Sequence, residues 1–100
     1  MTPKKRPVFR TGKRVLDVAL QDIKRGKRGN AYACPIVRAL RRRYKALEFV
    51  EVAGDYVAVS VGAWLFTASL PRIAKTFVRN FDRGAPVAPF RSTITFTRSQ

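Results

Sequence analysis

Residues 48–69 read EFVEVAGDYVAVSVGAWLFTAS, and this stretch decides the fold. Glu48–Ala53 alternates, Gly54-Asp55 supplies a turn, and Tyr56–Val61 alternates again, which is the pattern of a β-hairpin. Gly62-Ala63 fits either a second turn or a bulge, and Trp64–Ser69 follows as another strand. The middle of the chain is therefore β-rich and built on a hairpin, and the segments on either side must supply what covers it.

Downstream, a helix is expected from Pro71. Leu70, Ile73, Ala74, Phe77, Val78 and Phe81 fall on one face, with Arg72, Lys75, Arg79 and Asp82 on the other. Ser69 suits its N-cap and Gly84 its C-terminal stop. Pro86 and Pro89 stiffen the connector to a last strand, where Phe90, Ser92, Ile94 and Phe96 alternate with Arg91, Thr93, Thr95 and Thr97. Upstream, Cys34-Pro35 opens a helix, since proline in a first turn costs no hydrogen bond. Ile36, Val37, Leu40 and Tyr44 recur at helical spacing and should face the core. Arg14–Leu20 reads as a first strand, giving way to a helical turn around Leu20–Lys24, and Lys24–Asn30 as a loop.

The order β-α-β-β-(β)-α-β predicts an α+β domain. Its sheet has four or five strands, mainly antiparallel, with two helices on one face, and a ferredoxin-like arrangement leads. One hundred residues allow a single domain with one modest core. Residues 1–13, with Pro3, Pro7 and Gly12 among five cations, read as a flexible basic arm, and residues 14–100 as the domain.

Charge carries the functional expectation. Twenty-one Lys and Arg stand against six Asp and Glu, a net charge of +15. Fifteen of those cations lie between Lys4 and Lys45, where the only acids are Asp17 and Asp22. Such a concentration of like charge opposes compaction unless a polyanion meets it. Membrane is disfavoured as that polyanion, because the longest apolar stretch, Tyr56–Leu70, is interrupted by Ser60, Gly62, Thr67 and Ser69 and is too short to span a bilayer. No basic-then-apolar leader opens the chain, which argues against secretion. Cys34 stands alone and has no internal disulfide partner.

Three groups offer phosphate contacts. They are Lys4, Lys5, Arg6, Arg10 and Lys13 in the arm, Lys24, Arg25, Lys27 and Arg28 in the loop, and Arg38, Arg41, Arg42 and Lys45 at i, i+3, i+4 and i+7 on the first helix. Arg43 flanks the apolar side of that helix. Tyr32, beside the loop, is the best candidate for base stacking, with Tyr56 and Trp64 next if one sheet face is open. Phosphate contacts position a protein without specifying bases, so no sequence preference is expected.

Catalysis is not expected. The chain has no His, so the usual neutral-pH base and nitrogen metal ligand are missing. One Cys cannot build a structural zinc site. Glu48 and Glu51, three apart on a strand, face opposite ways and would share a metal only across a bulge. Cys34, at a helix start among cations, is either a reactive thiol or a small packing residue, and the packing reading is preferred. No cofactor is expected.

Several segments, taken together, resemble a group of small phage- and prophage-encoded proteins of uncharacterised function. They are Asp22-Ile23-Lys24-Arg25-Gly26, Cys34-Pro35-Ile36-Val37, Leu70-Pro71, Phe81-Asp82-Arg83-Gly84 and Pro86-Val87-Ala88-Pro89-Phe90. The likeness runs from about Arg14 to Phe96. It implies a phage origin and a shared fold, with no activity attached. The leading expectation is thus a non-enzymatic nucleic-acid-binding protein, in the host cytoplasm or the virion. The alternatives are an interaction module docking on an acidic host protein, or a virion component that touches the genome.

Overall fold

The computed structural model describes residues 9–99. Its elements are β1 (Gly12–Val18), α1 (Leu20–Arg25), α2 (Pro35–Arg43), β2 (Phe49–Ala53), β3 (Tyr56–Val61), β4 (Trp64–Ser69), α3 (Arg72–Asp82) and β5 (Phe90–Arg98). The protein is α+β, with one five-stranded sheet ordered β1-β5-β4-β3-β2. Every neighbouring pair is antiparallel. A ferredoxin-like sheet is built on split βαβ units, each leaving a gap that another strand fills, so its neighbours are antiparallel and its first strand is internal. This sheet puts β1 at an edge and keeps β2, β3, β4 and β5 as consecutive neighbours, so its strand order departs from that expectation.

The register aligns the apolar positions into one face. Leu16 and Val18 of β1 sit opposite Ser92 and Phe90, Val59 opposite Phe66, and Val50 and Val52 opposite Val59 and Val57. That face carries Leu16, Val18, Val50, Val52, Val57, Val59, Phe66, Ala68, Ile94 and Phe96 into a single core, which Ile36, Val37 and Leu40 of α2 and Ala74, Phe77 and Phe81 of α3 complete. The helices thus share one side. The reverse face, lined by Thr93, Thr95 and Thr97 on β5, is open to solvent.

Gly62-Ala63 is a turn and not a bulge, because Gly62 takes φ +59 and β3 and β4 pair through to Val61–Trp64. A left-handed residue at that corner favours glycine. Gly26 is required for a different reason. A Cβ there would lie 2.6 Å from the Pro35 ring, so α1 and α2 close against each other only over a bare backbone.

Three details depart from the sequence reading. Phe9 is buried and β1 starts at Gly12, so residues 9–13, placed in the arm by composition, pack with the folded unit. Pro71, with no side-chain bond, caps α3, while Ser69 ends β4. Ile73 is 47% exposed, because it faces a groove bounded by Pro86–Phe90 and not the sheet.

Candidate nucleic-acid interface

α1 and α2 run antiparallel. Asp22 in α1 reaches Arg42 near the end of α2, while Gly26 after α1 rests on Pro35 at the start of α2. Asp22 is 2% exposed, and its carboxylate accepts the Ala19 N–H at 2.9 Å and the Arg42 Nη2 at 2.8 Å. Arg42 also donates to the Asp17 carbonyl at 2.9 Å. The bond from Asp22, more than its charge, raises the pKa of Arg42, which stays a cation at any working pH. Arg42 is therefore a tie between β1, α1 and α2, and this corrects its expected place in a free phosphate-binding stripe.

The rest of that stripe is also rearranged. α2 ends at Arg43, so Lys45 lies in the turn beyond it and the i+7 alignment does not form. Arg41 leans on the Glu48 carbonyl at 3.3 Å. Arg38 is half-buried, its Nε without a partner.

The loop cations stay exposed on a pinned backbone. Lys27 N–H donates to the Ala33 carbonyl at 2.9 Å, Val52 N–H to the Ala31 carbonyl at 2.8 Å, and Gly29 N–H to Asp82 Oδ1 at 3.0 Å. This last bond draws the loop to the end of α3, where the Arg28 guanidinium would stand 3.3 Å from a Cβ on Gly84. Arg28 thereby comes next to Arg83, with Arg79 one turn before it, while Lys24, Arg25 and Lys27 stay exposed along the same loop.

At the opposite end a second cluster forms on aromatic rings. Phe9 sits 5.6 Å from Tyr44, the Arg14 guanidinium lies 5.3 Å over Phe9, and that of Arg43 lies 6.0 Å over Tyr44. Arg14 Nη2 also holds the Arg10 carbonyl at 2.6 Å. Sequence reading missed Arg14, Arg43, Arg79 and Arg83 as members of these clusters. The adjacency of Arg43 to Tyr44 was the only available signal, since the bond between Asp82 and Gly29 spans 53 residues.

Lys13 is not part of either cluster. Strand alternation turns it to the open face with Val15 and Asp17. Lys4, Lys5 and Arg6 lie outside the described residues. Tyr32 is 58% exposed, but its hydroxyl donates to Glu51 Oε2 at 3.3 Å and its ring tilts against Phe49. It thus stands beside a carboxylate that repels phosphate. Tyr56 is on the open face, and Trp64 is covered by the Arg98 guanidinium at 4.3 Å.

Among the described residues Arg42–Asp22 is the only ion pair, so the other cations keep their charge toward solvent. No cluster of acids, Cys or His among them could hold a metal, and none of their helices is long and apolar enough to cross a membrane. Cys34 is buried. Desolvation raises its pKa from an ordinary 9.0, aided by Asp82 and opposed by backbone bonds from Val37 and Ile36. The neutral thiol is the favoured form. Its contribution to stability is whole below pH 9.0 and is lost as pH rises through the elevated folded value. Iodoacetamide at pH 8 should leave the native protein unlabelled and modify Cys34 once guanidinium unfolds it. Rapid labelling of the native protein would contradict a merely packed thiol.

Fold and surface together define a class: an α+β protein with a one-sided sheet and a strongly basic helical layer. Set against known protein families, curated proteins and solved structures, the chain matches none.

Proposed function

We propose that the protein binds nucleic acid along its helical side, gripping phosphate backbone without catalysing a reaction. The observation that carries this reading is the separation of charge between the two faces. On the open sheet face Lys13 and Arg91 are offset by Asp17 and Glu51. On the helical side two groups of cations flank α1 and α2, and the acids among them are Asp22, paired with Arg42, and Asp82, which holds the Gly29 N–H. Counterion release from bound phosphate is a sequence-independent source of affinity for such a surface. Contact is with phosphate and not with stacked bases, because the exposed aromatics lie on the neutral face, beside Glu51, or under Arg98.

A filter-binding titration tests the reading. Affinity for duplex DNA should fall about 10³-fold or more between 50 and 200 mM salt if six phosphates are engaged. Changing Lys27, Arg28, Arg43 and Lys45 together to Gln should flatten the log–log salt slope by roughly 3–4 while the chain stays folded. Lys13→Gln with Arg91→Gln should leave the slope unchanged. A flat salt response in the unmodified protein would overturn the proposal, and retention of an acidic host protein after nuclease digestion would replace it.

A further inference from the structure

Both outer edges of the sheet are partly capped. On β1 the Tyr44 hydroxyl accepts the Val15 N–H at 2.8 Å and donates to the Val15 carbonyl at 3.1 Å, and Arg42 takes the Asp17 carbonyl. On β2 the Val52 N–H is taken by Ala31 and the Glu48 carbonyl by Arg41. Open edges invite pairing with other chains, and these contacts interrupt both.

The inner seam between β4 and β5 is treated differently. Its ladder consists of Phe66–Arg98 and Thr67–Thr97, extended by the Ser99 N–H to the Leu65 carbonyl at 2.7 Å. Beyond that the strands part around a cleft of about 660 Å³. Antiparallel alternation fixes which main-chain groups face it. Val15 and Asp17 bond outward from β1, so their opposite numbers Thr93 and Arg91 present N–H and C=O toward β4. Thr95 does so by period, and Ser69 does so from β4. Across the cleft β4 and β5 form no further ladder pair among the described residues, and the Thr93 carbonyl accepts the Ser92 hydroxyl at 3.3 Å.

We propose that this β4–β5 cleft binds an extended, uncharged segment of a partner protein, which adds as a strand along the free lip of β5. The lip repeats a donor and an acceptor every second residue, roughly 6.8 Å, a spacing matched by another extended main chain. Thr67, Ser69, Thr93 and Thr95 rim the cleft, Leu70 and Ile94 line its core side, and no charged side chain lines it. That chemistry suits small alternating side chains and gives phosphate no purchase. The site is independent of the basic helical side.

The test is an array of uncharged decapeptides of Val, Ala, Ser and Thr, probed with the full-length protein in 0.5 M salt, where phosphate-type contacts are suppressed. A retained peptide should slow amide exchange at Ser69, Thr93 and Thr95. N-methylating alternate residues of that peptide should weaken it at least tenfold without altering the protein. Thr95→Pro should do the same, since the Thr95 N–H points away from β1. No retained peptide, binding indifferent to N-methylation, or protection confined to other amides would each overturn the proposal. None of these outcomes bears on the salt-dependent binding of DNA.

Discussion

Replacing Arg42 by alanine should destabilise the folded chain by about 2–3 kcal/mol, the cost of leaving a buried carboxylate without its charged partner. The penalty arises at Asp22, whose side chain is 3% exposed and would keep only the Ala19 N–H. Arg42 itself, 38% exposed, would be partly solvated if Asp22 were removed instead, so Asp22→Ala should cost less. Arg41→Ala, which gives up one long contact to a carbonyl, should stay within about 0.5 kcal/mol. Urea unfolding followed by circular dichroism measures all three. A small domain is stable by roughly 5–15 kcal/mol, so the Arg42 variant should show a clearly displaced midpoint. If Arg42→Ala unfolds within about 1 kcal/mol of the unmodified protein, the tie is cosmetic and Arg42 returns to the set of free phosphate ligands.

This residue marks the limit of what the sequence discloses. Helical period places Arg38, Arg41 and Arg42 outside the apolar stripe, and period alone treats them alike. Their fates are separated by Asp22, twenty residues upstream, and by the Glu48 carbonyl downstream. Local signals read well. The meander between Phe49 and Ser69, the opening of α2 at Pro35, the alternation of β5 and the stop of α3 near Gly84 all follow from residues close in the chain. Long-range pairing did not read. That Gly12–Val18 lies beside Phe90–Arg98, and so makes an all-antiparallel sheet, depends on a contact some eighty residues apart that has no local signature. The candidate interface divides in the same way. The loop cations were legible as a run, whereas their junction with Arg83 depends on Asp82 capturing a distant N–H.

The open face follows from the same arrangement. With both α2 and α3 on one side, threonines on β5 need no cover, and their hydroxyls keep the exposed sheet wet. Cations collected on the helical side outnumber the acids there, Asp22 and Asp82, and that excess is what a polyanion would meet on approach.

Phe9→Ala should be the other severe substitution, costing about 3–5 kcal/mol as a large aromatic is cut from a packed site. Composition assigns Phe9 to a mobile basic arm, yet its ring meets Phe96 at 4.9 Å, Phe66 at 5.2 Å and Tyr44 at 5.6 Å, each edge to face. Such pairs add roughly 0.5–1.5 kcal/mol beyond burial, so Phe9→Leu should recover most of the loss but not all of it. In a chain of this size the alanine variant should melt roughly 12 °C or more below the unmodified protein. Its effect on binding should be separable from its effect on folding. Arg14 rests on the Phe9 ring and holds the Arg10 carbonyl, so loss of the ring frees both cations from the cluster shared with Arg43. At a temperature where both proteins are folded, the salt slope for duplex DNA should fall by up to about 2, and Phe9→Leu, which also lacks the ring, should lower it as well. A lower melting temperature with an unchanged slope would confine Phe9 to the core and remove Arg10 and Arg14 from the interface. An unchanged melting temperature would mean that the aromatic cluster does not hold this end of the chain.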